Sequence, residues 1–266
     1  MEEPQLQPGI PPKPVAQDFR PEITRLPVLR ASRRAARRLL WWLARFLVWL
    51  LTRPEIHGSV QAIPDSAALV VSNHLGNADL VFGVAAARRL PEVIAKAELR
   101  QLPVVGLLMR AYGMIWVHRG RPDRAALRAA LQGLAEGRIV CIAPEGRESV
   151  TGALEEATRG AAFLAIKSGA PIVPVTFTGT ENHAVWNNIR RLRRTPVSMT
   201  IGQPFYLRRP APDASKTASE SRDLGAATLQ IMQTLASQLP DQYRGVYAAT
   251  ASAAPLATES PSPESQ

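Results

Sequence analysis

The chain is poor in cysteine, in lysine and in long apolar runs. Cys141 is the single cysteine among 266 residues, which excludes an internal disulfide and fits a reducing compartment better than secretion. It lies within the apolar residues 139–143, a setting typical of an inert thiol in a buried strand. The apolar stretch Leu39 to Leu51 contains Arg45 and is shorter than the roughly 20 residues of a transmembrane helix. The sequence therefore predicts neither a disulfide scaffold nor a membrane span, and 46% hydrophobic with 20% charged residues indicates a globular chain.

Lysine is scarce because arginine supplies most of the positive charge. Only four of the 32 basic residues are lysines, and 22 acidic residues leave a formal net charge of +10. Residues 19–57 hold nine arginines and two glutamates, while residues 182–212 hold six arginines and no acidic residue. We therefore expect an anionic partner at these two segments.

The first basic segment has the spacing of an amphipathic helix. Apolar residues recur at intervals of three and four, and six arginines fall on the other side of the same helix. Trp41, Trp42 and Trp49 are suited to the boundary between lipid headgroups and acyl chains. We expect residues 28–53 to lie on an anionic membrane surface, although a core helix with a solvated arginine face is the alternative. The apolar stripe consists of Val28, Ala35, Ala36, Leu39, Leu40, Leu43, Phe46, Leu47, Leu50 and Leu51, and the arginines are Arg30, Arg33, Arg34, Arg37, Arg38 and Arg45.

The rest of the chain alternates strand-like and helix-like segments. The predicted strands are 68–72, 92–96, 114–118, 138–143, 172–177 and 197–201, and the predicted helices are 78–90, 123–135, 155–168 and 217–239. This alternation indicates an α/β fold with a mixed, largely parallel central sheet flanked by helices.

The composition also predicts how the chain is divided. We assign residues 54–247 to one domain, with a linker at 210–216, and residues 18–53 to the amphipathic membrane-binding helical segment. Residues 1–17 and 248–266 hold mostly proline, small and polar side chains, so both are predicted to be disordered tails.

Side chains that can bind anions or protons follow three of the predicted strands. His74 and Asp79 follow the strand that ends at residue 72, Arg119 follows the next-but-one strand, and Glu145 and Arg147 follow the strand that ends at residue 143. Because sites in open α/β sheets form at the carboxyl ends of strands, we expect these groups to converge. An imidazole titrates near neutral pH, and a carboxylate on its far nitrogen fixes the tautomer. His74 and Asp79 therefore fit a general base with its orienting partner, although a loop histidine beside a helix cap is the alternative.

The segment Pro144-Glu-Gly-Arg-Glu-Ser149 places two carboxylates and a guanidinium around a glycine. Gly146 permits a sharp turn, and the planar fork of Arg147 suits a phosphate group. A solvated ion pair in an ordinary loop explains the same residues. Lys96, at the end of its own predicted strand, is a further phosphate-binding candidate, with a plain surface lysine as the alternative.

Together these motifs resemble the glycerophospholipid acyltransferase superfamily, in particular bacterial 1-acyl-glycerol-3-phosphate acyltransferases. Four blocks occur in order between residues 54 and 201: Asn73-His74 with Asp79 as N-H-x4-D, residues 113–119 ending in Arg119, Pro144-Glu145-Gly146, and Ile172-Val-Pro-Val175. The third block differs from the usual P-E-G-T-R-S, because arginine comes one place earlier and Glu148 occupies its normal position. The resemblance therefore leaves the acceptor head group open.

The resemblance implies transfer of an acyl group from a thioester, on coenzyme A or acyl carrier protein, to a lysophospholipid hydroxyl in phospholipid synthesis. His74 would act as the base, oriented by Asp79, with Arg119 and Arg147 on the acceptor phosphate and Glu145 positioning the acceptor or Arg147. No cofactor or metal is expected, and the predicted location is the cytoplasmic face of the membrane.

Other functions remain as alternatives. Glycerol-3-phosphate or another lysolipid is the main alternative acceptor, and a catalytically inactive membrane-surface binding protein is the alternative of another class. Binding to nucleic acid is not expected, because the arginines alternate with an apolar stripe and no recognition motif is present.

Overall fold

The computed structural model describes residues 11–16, 19–120, 122–207 and 218–251. Within them, seven strands form one sheet in the order β1-β7-β6-β2-β5-β3-β4. All neighbouring strands are parallel except β6 and β7, which are antiparallel. The predicted α/β fold with a mixed, largely parallel sheet is therefore confirmed. The strands are Thr52–His57 (β1), Ala68–Ser72 (β2), Glu92–Lys96 (β3), Ile115–Val117 (β4), Ile139–Ile142 (β5), Ile172–Thr178 (β6) and Thr195–Ile201 (β7).

Helices cover both faces of the sheet. Along β2, Leu69 and Val71 belong to a core cluster on one face, while Ala68 and Val70 belong to a cluster on the other, as the alternation of strand side chains requires. Helices α4, α5 and α7 supply the first cluster, whereas α1, α2 and α3 pack on the opposite face. The helices are Ala31–Leu51 (α1), Asn77–Ala86 (α2), Pro103–Tyr112 (α3), Arg124–Ala135 (α4), Gly160–Ser168 (α5), Asn182–Arg190 (α6), Ala218–Ser237 (α7) and Ala248–Ala251 (α8), with short 3-10 turns at Pro21–Ile23, Val60–Ala62, Ala97–Gln101, Asp241–Tyr243 and Gly245–Tyr247.

Strand β1 and helices α3 and α6 are not among the elements predicted from the sequence. Strand β1 contains Pro54 and is exposed at five of its six positions, a pattern that an edge strand permits but that carries no strand signal. Helix α3 begins at Pro103, and α6 has no buried residue. Helix α5 begins at Gly160 rather than 155, because the backbone and side chain of Glu155 are bound elsewhere.

Helix α1 presents two different faces. Arg37 and Ala44 are buried against the domain, whereas a row of large apolar side chains is exposed. Arg37, which the spacing places on a solvated face, is instead 3% exposed and lies in an ion pair with Glu92. The role of α1 at a membrane surface remains a prediction. The exposed row is Leu39, Trp42, Leu43, Phe46, Trp49 and Leu50.

In the part of the chain that the structure describes, no helix is both long and apolar enough to cross a membrane. Helix α1 passes directly into β1, which begins at Thr52, so this strand crosses the boundary that the sequence predicts at residues 53 and 54.

The ends of the chain are described only in part. Residues 11–16, predicted as part of a disordered tail, lie against the domain, and Ala16 is buried. At the other end, residues 248–251 form α8. The remainder of both predicted tails lies outside the described residues, as does the predicted linker 210–216.

Candidate active site

Two neighbouring strands bring the first and third sequence blocks together. Strands β2 and β5 are adjacent and parallel, so the loops after their carboxyl ends meet. Ser149 N donates to the carbonyl oxygen of His74 at 2.7 Å, and His74 N donates to Oε1 of Glu145 at 3.1 Å. The structure therefore brings together His74, Asp79 and Glu145, three of the five side chains that were expected to converge.

The His74 ring is oriented by Asp79 from the first turn of α2. Nδ1 of His74 lies 2.9 Å from Oδ2 of Asp79, and the same oxygen accepts from the backbone N–H groups of Leu75 and Gly76 at 2.7 and 3.0 Å. Asp79 is 4% exposed, whereas the histidine side chain is 31% exposed. Bound by two backbone donors, the carboxylate is fixed, so Nδ1 carries the proton towards it and Nε2 is the nitrogen that can accept one.

The loop is itself held against the sheet. The buried Asn73 side chain donates to the carbonyl oxygen of Phe177 at 2.9 Å and accepts from Phe177 N at 2.8 Å. Phe177 belongs to β6, which pairs with β2. This amide clamp fixes the backbone immediately before His74.

The electrostatic surroundings favour a protonated His74. Burial alone lowers its pKa, but the hydrogen bond to Asp79 and the charges of Asp79, Glu148 and Glu145 outweigh burial, so the pKa is raised above its ordinary value. The charged form is stabilised by these carboxylates. An imidazolium formed during proton transfer would be stabilised in the same way.

Glu145 holds the two loops together. It is fully buried, and its Oε2 accepts from Glu155 N at 2.9 Å while Oε1 accepts from His74 N. Burial raises the pKa of Glu145 to about 7, against the opposing effect of these two backbone donors. Gly146 follows with φ +71°, a conformation that favours glycine. The Glu145 carboxylate therefore positions the backbone at His74 and Glu155. The prediction was that it would position an acceptor or Arg147.

Arg147, which was predicted to bind a phosphate, instead binds other parts of the protein. It is buried, its Nε donates to Oε2 of Glu155 at 2.6 Å, and one terminal nitrogen donates to the carbonyl oxygen of Pro11 at 2.7 Å. The guanidinium charge is thus neutralised by Glu155, whose other oxygen accepts from Val150 N. The next residue, Glu148, is hydrogen-bonded to the side chain of Asn182.

Two of the predicted cationic side chains remain at the same edge of the sheet. Lys96 ends β3, beside β5, and Arg119 follows β4, the edge strand beyond it. Because the strands follow the order β2-β5-β3-β4, the residues at or after their carboxyl ends lie along the edge in the order His74, Glu145, Lys96 and Arg119. Neighbouring strands lie about 4.8 Å apart. Arg119 approaches Glu98 at 3.5 Å, and its buried Nε has no hydrogen-bond partner among the described residues.

A segment that the sequence gives no reason to select crosses this edge. In residues 11–16, here called the N-terminal strap, Ala16 N donates to the carbonyl oxygen of Arg119 at 2.9 Å. Lys13 Nζ donates to the carbonyl oxygen of Glu156 at 2.5 Å. Burial and the neighbouring Arg147 charge lower the pKa of Lys13. The strap therefore brings a third cation to the site, a placement that no local sequence pattern signals.

A second histidine and aspartate have the same spacing but a different environment. Nδ1 of His118 lies 2.8 Å from Oδ2 of Asp123, and its Nε2 accepts from Arg20 N at 3.1 Å. His118 is 1% exposed. Both ring nitrogens are occupied, so this pair is structural, whereas Nε2 of His74 has no hydrogen-bond partner among the described residues.

The site lies within a stretch that matches known proteins. A family model described as Acyltransferase matches residues 53–178. Among curated relatives, the 1-acyl-sn-glycerol-3-phosphate acyltransferase of Cocos nucifera is 30% identical over 171 residues, covering 60% of this chain and 53% of that protein. The human 1-acyl-sn-glycerol-3-phosphate acyltransferase beta is 31% identical over 144 residues, covering 52% and 51%. The chain thus spans about half the length of these relatives.

The fold also matches a solved structure. The 1-acyl-sn-glycerophosphate acyltransferase PlsC of Thermotoga maritima superposes with a TM-score of 0.52 at 23% identity, over 78% of this chain and 83% of that one. At this identity the likeness concerns the fold. The stretch that matches the Acyltransferase family model, residues 53–178, contains all four sequence blocks.

Proposed function

We propose that the protein transfers an acyl group from a thioester to the hydroxyl of 1-acyl-glycerol-3-phosphate. The observation that carries the proposal is the 2.9 Å contact between His74 and Asp79. The ring is partly exposed, and its Nε2 is not hydrogen-bonded to any described residue. The names of the curated relatives support the choice of acceptor. Within the described residues, His118 offers no equivalent free nitrogen.

The proton movements follow from this geometry. Nε2 of His74 takes the proton of the acceptor hydroxyl as its oxygen bonds to the thioester carbonyl carbon. Asp79 and Glu148 stabilise the imidazolium that forms. The tetrahedral intermediate then breaks its carbon–sulfur bond, and the proton passes from Nε2 to the departing thiolate. No covalent acyl-enzyme is needed.

The acceptor phosphate is assigned to the cations that remain available. Lys96 and Lys13 flank the loop of Glu145, and Arg119 lies one strand beyond Lys96. Arg147 is omitted because Glu155 already neutralises it. Lys13 is the substitute that this chain provides for the arginine that usually stands at the position of Glu148.

The proposal also covers the acyl donor and the membrane surface at which the reaction takes place. Coenzyme A and acyl carrier protein both supply the required thioester. The exposed apolar row of α1 is proposed to enter one leaflet of an anionic membrane, with Arg34, Arg38 and Arg45 beside the headgroups. Because lysophospholipids lie in membranes, this brings the site to its acceptor, and we propose the cytoplasmic face.

The decisive experiment is a transfer assay with purified full-length protein in detergent. Labelled acyl-CoA and acyl carrier protein are each offered with 1-acyl-glycerol-3-phosphate, glycerol-3-phosphate and lysophospholipids with larger head groups. We expect the highest kcat/KM with 1-acyl-glycerol-3-phosphate. Preference for another lysolipid would change the acceptor, and inactivity with every pair would favour a binding protein.

The membrane proposal is tested by comparing tryptophan variants on α1 and α6. The double variant Trp42→Ser, Trp49→Ser removes two exposed aromatic rings from α1. The control variant Trp186→Ser removes one ring from α6, and Trp186 is 57% exposed. We expect only the α1 variant to lose cosedimentation with anionic vesicles. Equal cosedimentation of both variants with wild type would place membrane attachment elsewhere.

A further inference from the structure

A cleft rich in arginine lies at the edge of the sheet opposite His74. It has a volume of about 520 Å³. Its wall includes Glu92, the first residue of β3, and Arg138, directly before β5. These strands are parallel, so the cleft lies at their amino ends, whereas Glu145 follows the carboxyl end of β5. The length of β5, roughly 10 Å, separates the cleft from the candidate active site.

The floor of the cleft is already neutralised. Arg37 donates to both carboxylate oxygens of Glu92, at 2.9 and 2.6 Å, and Arg138 donates to one of them at 3.1 Å. Glu92 is 1% exposed. Arg138 also pairs with Glu136, so two carboxylates balance the two guanidinium groups of the floor. Within the described residues, neither carboxylate is bonded to another lining arginine.

The rim carries charge that no carboxylate among the described residues neutralises. Arg34, Arg38 and Arg89 are exposed residues of the lining. Arg34 and Arg89 donate only to backbone carbonyl oxygens, and over the described ranges none of the three pairs with a carboxylate. Three planar cations around a concave surface attract an anion, and a phosphate can accept two parallel N–H bonds from each guanidinium.

The position of the rim indicates where such a phosphate comes from. Arg34 and Arg38 are one turn apart on α1, and Trp42 continues the same line by four residues. Trp42 is 59% exposed and belongs to the apolar row of α1. A molecule with its phosphate in the cleft would therefore place an attached acyl chain along an apolar surface.

We propose that this basic cleft binds the phosphate of an anionic phospholipid headgroup. The site is separate from the acyl-transfer site and does not depend on the acceptor assigned there. Soluble phosphate carries the same anionic group, but it has no acyl chain to contact the apolar row of α1. A bound lipid would join α1 to the amino edge of the sheet through Arg38 and Arg89.

The test compares two arginines on the same flank of α1. Arg38 lines the cleft, while Arg45, seven residues later, is exposed outside it. Arg38→Gln and Arg45→Gln therefore remove equal charge from the same helix. Each full-length variant is titrated with phosphatidylcholine vesicles containing phosphatidylglycerol, and with soluble dihexanoylphosphatidylglycerol below its micelle concentration.

The loss of one surface charge should weaken vesicle binding about fivefold in Arg45→Gln. We expect a larger loss in Arg38→Gln, and binding of the soluble lipid to be lost in Arg38→Gln but kept in Arg45→Gln. Arg89→Gln, which lies off α1, should repeat the loss of soluble lipid binding, with circular dichroism confirming that the variant is folded. Equal weakening by Arg38→Gln and Arg45→Gln would overturn the proposal. Binding of inorganic phosphate as tightly as the soluble lipid would overturn the lipid assignment.

Discussion

The buried pair of Arg147 and Glu155 gives the sharpest prediction, because a structural and a substrate-binding role lead to different measurements. Their side chains are 6% and 4% exposed and meet at 2.6 Å. Removing one partner of a buried ion pair leaves an uncompensated charge and costs about 3–5 kcal/mol. In a domain of this size each kcal/mol lowers Tm by about 2–4 °C. Arg147→Met should therefore lower Tm by roughly 6 °C or more.

The assay is urea unfolding of Arg147→Met, Glu155→Gln and the double variant. Because the second change removes the charge that the first leaves unpaired, the double variant should be more stable than the sum of the single losses predicts, by about 0.5–3 kcal/mol. For whatever protein remains folded, the acceptor KM should stay near the wild-type value. An Arg147→Met variant with unchanged stability and a strongly raised acceptor KM would refute this reasoning and restore Arg147 as a phosphate ligand.

Three further predictions concern the catalytic edge of the sheet. His74→Ala should reduce transfer by about 10²- to 10⁴-fold with unchanged circular dichroism, and activity above roughly a tenth of wild type would exclude His74 as the base. Activity needs the neutral imidazole, so kcat/KM should rise with pH through the raised pKa of His74. Asp79→Asn removes a neighbouring charge, lowers that pKa and should move the rising limb to lower pH, whereas an unmoved limb would mean that another group titrates. Lys13→Met should raise the acceptor KM roughly tenfold or more without changing the donor KM, while Lys167→Met, on the exposed side of α5, should change neither; equal effects would remove Lys13 from the site.

Local sequence pattern is sufficient to predict the geometry of the proposed base and its orienting partner. His74 and Asp79 are five residues apart across a strand end and a helix start, so their contact depends on a short stretch of chain. Glu145 follows the adjacent strand, and the predicted parallel sheet already brings such loops together. Strands β2 and β3 also match their predicted bounds to the residue, because short β-branched runs are strong signals.

Contacts between distant residues could not be predicted in the same way. Arg147 binds Glu155 and Pro11, and the second of these lies 136 positions away. Lys13 reaches residue 156 across 143 positions. The spacing of His118 and Asp123 equals that of His74 and Asp79, so spacing alone does not distinguish the buried pair from the available one. The two pairs differ in the burial of the histidine and in the partner of its second ring nitrogen. Both properties depend on the assembled fold.

The direct passage from α1 into β1 ties the direction of the helix faces to the sheet. Thr52 N and its hydroxyl both donate to the carbonyl oxygen of Val48, and the strand pairs with β7 from Thr52 onwards. One residue inserted into α1 after Arg37 would turn the following side chains by about 100° relative to it. Either the apolar row would rotate towards α2, or Arg37 would leave Glu92. The outward-facing and core-facing residues of α1 therefore share one helical register. Neither set can be shifted along the chain without rotating the other set out of its contacts.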